Sequence, residues 1–150
     1  MYKERQIIMI IEEEFKNVAL PEKWQRLSLN ETKKLCSEMG LENVRQKIEI
    51  DPPGREFYSD GASMCPDCWF GTNLYPLAVR HDLHYWAGRY GEVDARRKAD
   101  LELVLDVKRE GHQILAFLMR LLLRVFGSGF WPFPWRWGYG RHYWLRSLFK

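Results

Sequence analysis

The sequence predicts a mainly α protein: two antiparallel helices carrying the site, a third apolar helix, and a small N-terminal α+β region. Three observations predict it. From residue 76 onward, three segments of helical periodicity follow one another, and each ends at glycine: Gly91, Gly111 and Gly127. The connections between them are short, which suits antiparallel neighbours. Strand-like alternation is confined to Val44–Ile50, ahead of the chain-breaking run Asp51-Pro52-Pro53-Gly54.

Taken in order, Ile7 to Phe15 is rich in β-branched residues and then carries Glu12-Glu13-Glu14, so helix and strand both stay open there. Asn30 is positioned to cap a helix from Glu31 to Met39, with Gly40 as its stop. Val44, Gln46, Ile48 and Ile50 predict a short strand. The break at 51–54 divides an N-terminal subregion, 1–54, from a helical core with a Trp/Arg-rich end, 55–150. Phe57 to Thr72 is a loop of turn formers, among them Ser59, Asp60, Gly61, Pro66, Asp67 and Gly71. Helices are then expected from Pro76 to Tyr90, from an N-cap at Asp94 to Gly111, and from His112 to Phe126. Phe130 to Trp144 reads as irregular.

Composition narrows the class. At 150 residues the chain is one domain, and its 46% hydrophobic and 15% aromatic content excludes a disordered protein. Charge is polarised: residues 1–106 hold 15 Lys+Arg against 19 Asp+Glu, whereas 107–150 hold 8 against 1. A basic, aromatic end suits an anionic partner such as a lipid headgroup; an ordinary basic surface is the plainer reading. Three cysteines make no disulfide framework and suit a reducing, cytoplasmic compartment. The opening apolar run, Ile7 to Ile11, is too short for a signal peptide. Ile114 to Phe126, interrupted by Arg120 and Arg124, falls short of the ~20 residues that span a bilayer.

Function concentrates in Arg80-His81-Asp82-Leu83-His84-Tyr85 and in Ala99-Asp100 on the next helix. Helical spacing puts His81 and Tyr85 on one face, with Asp82 on the neighbouring stripe. The small Ala99 lets two backbones approach, so Asp100 can reach His81. A carboxylate bonded to one imidazole nitrogen fixes the tautomer and leaves the other to accept a proton, while a second carboxylate is free for a hard cation. Chance occurrence and a solvated Asp100 are the plainer readings.

A second pattern overlaps the first. Cys65-x₂-Cys68 and His81-x₂-His84 approach the ligand set of a structural Zn²⁺ site, although the histidines are one residue closer than usual. The two readings compete, because a histidine bound to zinc is no free base. Small buried cysteines are the third possibility.

The segment from Ile114 to Phe126 is apolar almost all round, which predicts a helix central to the core. Its polar stripe contains Arg120 and Arg124, and Trp131, Trp135, Arg136 and Trp137 follow. Together they offer a membrane-facing or partner-binding alternative. Nucleic acid is not the expected partner.

The pattern His81-Asp82-x-x-Tyr85 with Ala99-Asp100 resembles the active-site signature of the phospholipase A₂ superfamily. The form it is most similar to is the compact, disulfide-free one of parvoviral capsid proteins and of small phage and bacterial proteins with an Asp-Gly-Ala-Ser loop, here Asp60 to Ser63. The resemblance spans about residues 58–126; the chain departs from secreted members in having Val79-Arg80 where they carry paired cysteines. It implies His81 as general base, Asp100 orienting it and Tyr85 supporting the network. It also implies Ca²⁺ held by Asp82 with the loop at Gly61, and hydrolysis of a glycerophospholipid ester at a membrane. The alternative it leaves open is a non-catalytic virion or host-interaction protein on the same scaffold, with phage or host proteins as partners.

Overall fold

Residues 13–61, 67–89 and 91–126 are described in a computed structural model, and their regular structure is five helices and one short hairpin. The class is mainly α, as the sequence predicts.

Helix α1, Leu29–Glu38, begins at Ser28, not at Asn30. The Ser28 hydroxyl accepts from the Glu31 N–H at 3.4 Å, and the Glu31 carboxylate accepts from the Ser28 N–H at 2.8 Å. The reason is chemical: three residues beyond Ser28 stands a glutamate that can answer back, whereas three beyond Asn30 stands Lys33, which cannot accept.

Helix α2, Glu42–Ile50, replaces the strand expected at Val44–Ile50. The apolar spacing that mattered was four, not two: Val44 and Ile48 are buried together, and Ile50 is 80% exposed. On the outer face Arg45 bonds Glu42 at 2.8 and 2.9 Å and Glu49 at 3.0 Å, ion pairs that only a helix brings into reach.

The β structure lies elsewhere. Strands β1, Cys68–Trp69, and β2, Thr72–Asn73, form an antiparallel hairpin inside the stretch read as loop, and Leu27 makes a single bridge to Phe57. Phe70 and Gly71 turn the hairpin, both with positive φ, as the tight two-residue turn of a right-twisted pair requires.

Helix α3, Tyr75–Ala87, has Pro76 in its first turn and stops at Gly88, short of the expected Tyr90. Helix α4, Val93–Arg109, has Glu92 at its N-cap position, and Asp94 lies within the first turn as an acidic residue facing the positive helix end. Gly111, at φ +84°, follows its C-cap. Helix α5 is Gln113–Phe126. Contacts between α3 and α4 run in opposite senses, Arg80 meeting Asp106 and Tyr85 meeting Asp100, so the two helices are antiparallel.

One apolar core joins Leu35, Cys36, Val44 and Ile48 of the first two helices to Val79, Leu83 and Trp86 of α3 and Leu103 and Val107 of α4. It is continuous across residues 51–54. Phe57 meets the Trp86 ring edge-on at 5.7 Å, and the Trp86 indole N–H donates to the Arg55 carbonyl at 3.1 Å. These contacts pin the start of the 58–61 loop to α3.

Helix α5 is not central to this core. It buries Leu115, Ala116 and Met119 but leaves Ile114 (78%), Phe117 (62%), Leu118, Leu121 and Val125 exposed. It packs on one side against α4, and among the described residues nothing covers the other. No helix of the described residues is long and apolar enough to cross a membrane.

Ser28→Ala should cost about 1 kcal/mol of stability in urea unfolding, and Asn30→Ala at an exposed interior position much less, which checks the position of the cap.

Candidate active site

Helix α3 supplies three of the expected residues within five positions, and α4 supplies the fourth. The His81 Nε2 lies 3.0 Å from Asp100 Oδ1. A carboxylate only accepts, so Nε2 carries the proton in this contact. The Tyr85 hydroxyl donates to the same Oδ1. One turn apart on α3, the His81 and Tyr85 rings sit 4.3 Å centre to centre, tilted by 39°. Asp100 thus gathers both donors from the facing helix onto one oxygen, and the adjoining Ala99, which is buried, keeps that approach close. His81, Tyr85 and Asp100 meet as the sequence predicts.

Asp82 points to a different neighbourhood. It is 5% exposed, and the Ser59 hydroxyl donates to its Oδ2 at 2.6 Å. Burial pushes this carboxyl well above the usual carboxylate range; the Ser59 bond opposes that, while Asp60 and Asp67 push the same way as burial. Gly61 completes the loop, its N–H reaching Ser59 Oγ at 3.1 Å. Its φ is +80°, which strains any residue with a Cβ, and a Cβ there would stand 2.3 Å from Asp67 Oδ1, so the Asp67 carboxylate would have to move as well. Lys23 ion-pairs with Asp67.

The resemblance implies calcium here, and the oxygens that the described residues offer are the Asp82 carboxylate and the Ser59 hydroxyl that donates to it. A hydroxyl and a carboxylate are hard oxygen ligands of the kind Ca²⁺ takes. Asp82 and the Gly61 loop would hold the ion. Arg80 does not compete there, because its guanidinium is drawn to Asp106 at 3.4 Å and Glu14 at 3.8 Å.

The residues of the zinc reading are dispersed in role. Cys65 lies outside the described residues, Cys68 is exposed on β1, and His81 is engaged with Asp100. His84 is mostly buried, its Nε2 3.7 Å from Glu102 Oε2. Among the described residues no group of three or more His, Cys, Asp or Glu side chains is arranged to hold a metal ion. Cys36 is a core residue, and burial pushes its thiol up to about 12, so it is inert at neutral pH.

Arg120 and Arg124 are exposed on α5. Trp131, Trp135, Arg136 and Trp137 lie outside the described residues. Sequence reasoning missed Ser59 and Lys23. Ser59 stands beside the Asp-Gly loop and was legible only as a turn former, and Lys23 carries no local signal because its partner is far along the chain.

Comparison with known protein families, curated proteins and solved structures found no match. Function therefore has to be argued from the site and not from kinship.

His84 gives the site a pH dependence of stability. Burial, then the charges of His81, Arg80, Lys98 and Lys47, push its imidazole down to about 4, against an ordinary value of 6.5; Glu102 is the acidic group beside it. Between those values the unfolded chain holds the extra proton, so stability is full above the upper value and falls as pH drops toward the lower one. Melting temperatures measured from pH 7 to pH 4 should fall less steeply for His84→Gln than for the wild type.

Proposed function

We propose that the protein is a phospholipase A₂-like hydrolase that cleaves a glycerophospholipid ester with water activated by His81. The observation that carries this reading is the single carboxylate oxygen of Asp100, which takes both the His81 Nε2–H and the Tyr85 hydroxyl. That arrangement fixes the imidazole ring, its tautomer and the direction of its free nitrogen.

In the reaction, Nδ1 of His81 accepts a proton from water as the oxygen attacks the ester carbonyl carbon. Asp100 stabilises the imidazolium that forms without taking its proton. Collapse of the tetrahedral intermediate then draws the proton from His81 to the departing alkoxide. Tyr85 holds Asp100 in place throughout. Ca²⁺ held by Asp82 and the Gly61 loop would supply Lewis-acid polarisation of the carbonyl.

Helix α5 supports a lipid surface as the place of action. Phe117, Leu121, Ile114, Val125 and Leu118 fall on one arc of the helix, and all are exposed. Arg120 and Arg124 border that arc, where a guanidinium meets lipid phosphate as the apolar side chains enter the acyl boundary.

Fatty-acid release from anionic liposomes, with calcium or with chelator, tests the chemistry. His81→Ala should lower the calcium-dependent rate by about a thousandfold. Asp100→Asn should lose much of it, and Tyr85→Phe less. No release from a folded wild type would set the enzyme reading aside in favour of a non-catalytic virion or host-interaction protein on this scaffold.

The lipid surface has its own test, read as binding. Arg120→Glu with Arg124→Glu should reduce co-sedimentation with anionic vesicles by about tenfold or more, since each basic residue near such a surface contributes about 1 kcal/mol. Equal sedimentation of variant and wild type would exclude α5 as the contact.

A further inference from the structure

The turn of the β1–β2 hairpin holds a residue that the fold itself does not favour. Trp69 pairs with Thr72, so Phe70 and Gly71 alone make the turn, at φ +46° and +85°. Both central residues of such a turn take the left-handed region, where glycine, asparagine and aspartate are the usual choices and a bulky side chain is strained. Burial does not reward the phenylalanine either, because it is 89% exposed. Its ring meets that of its neighbour Trp69 edge-on at 5.3 Å, and Trp69 is in turn packed against the core. Asparagine would serve the turn better, so a strained aromatic held out in solvent points to a contact outside the chain.

The hairpin is fixed to the start of α5. His112, directly ahead of that helix, has its Nε2 2.9 Å from the Oγ1 of the buried Thr72. At the hairpin base the Leu74 N–H donates to the Asp67 carbonyl at 2.6 Å, and α3 begins at Tyr75. The hairpin is thus tied both to the helix that carries His81 and to the helix that carries the exposed apolar arc, whose first residue, Ile114, is two beyond His112. Charge says what these elements meet. Cys68 to Asn73 carries no charge, and Gln113–Phe126 carries Arg120 and Arg124 with no acidic residue. An uncharged aromatic tip joined to an apolar helix bordered only by cations complements an anionic lipid surface.

We propose that the hairpin tip, Phe70 on its Trp69 brace, is a lipid-insertion wedge that extends the α5 contact to a second element of the fold. The proposal rests on the lipid surface read at α5. Its consequence is a fixed orientation at that surface. A helix that lies alone in the interface can roll about its own axis, whereas a second insertion point on another element selects one face. The unfavourable turn is what presenting an aromatic ring at the tip requires. Tryptophan at this position would do the same; a polar or absent side chain would not.

Co-sedimentation of the full chain with vesicles of equal parts phosphatidylcholine and phosphatidylglycerol tests it. Phe70→Asn creates an Asn-Gly turn, the sequence such hairpins prefer, so its melting temperature should be no lower than that of the wild type. Its vesicle affinity should nevertheless fall about tenfold, as expected when one aromatic side chain is no longer buried. Phe70→Gly also suits the turn and should lose as much, while Phe70→Trp should bind as the wild type does. The loss should persist in high salt, where the contribution of Arg120 and Arg124 is screened. Wild-type affinity in Phe70→Asn and Phe70→Gly, with Arg120→Glu plus Arg124→Glu still weakening binding, overturns the wedge while leaving the α5 surface standing, and would turn Phe70 toward a protein partner. No sedimentation of the wild type overturns the lipid surface and the wedge together.

Discussion

The close antiparallel seating of α3 on α4 is the constraint from which the rest follows. It depends on Leu83, Val79 and Val107, all fully buried, and on the small side chain of Ala99. Only at that separation does Asp100 reach His81 within 3.0 Å while also accepting from Tyr85. The same face of α3 then carries Trp86 into the core, and Trp86 with Phe57 anchors the loop that brings Ser59 to Asp82. A longer side chain at position 99 would part the helices and lengthen the His81–Asp100 bond first. The His81–Asp100 contact and the packing contact are thus the same event seen from two sides.

Burial of ionisable groups along these helices is managed locally. Asp106 is buried, and burial pushes its carboxyl up, but the Arg80 and Arg109 guanidinium groups oppose that shift. Arg80 therefore serves the helix pair and turns its charge away from Asp82. His84 takes the opposite course and stays neutral. Asp82 is left as the buried carboxylate that Ser59 alone counters among the causes acting on it.

Much of this was legible from sequence because it is periodic. Glycines marked the ends of α4 and α5 to within two residues, and the spacing of His81, Tyr85 and Asp100 gave their meeting. What misled was local ambiguity. Val44 to Ile50 satisfies a period of two and a period of four, and only the partner surface of α1 decides for the helix. α5 reads as a core helix because its composition is apolar almost all round, yet a surface is decided by neighbours, and α4 offers it only one side. Asn30 and Ser28 both suit a cap; Glu31 decides, and it can answer only Ser28. Lys23 and Ser59 were beyond reach for another reason: contacts across 44 and 23 residues leave no trace in spacing.

Gly61 has a consequence for how such a chain can change over generations. Most positions around a reactive centre tolerate drift, since a neighbour can shift to accommodate a new side chain. At Gly61 a substitution meets two demands at once: the left-handed backbone is strained for any residue with a Cβ, and the Asp67 carboxylate 2.3 Å from the missing Cβ must move aside. A lineage carrying this loop can move Asp67 aside, but the backbone strain of a side chain at this glycine stays with it. Among divergent descendants it is the glycine, more than any charged residue, that should mark common descent.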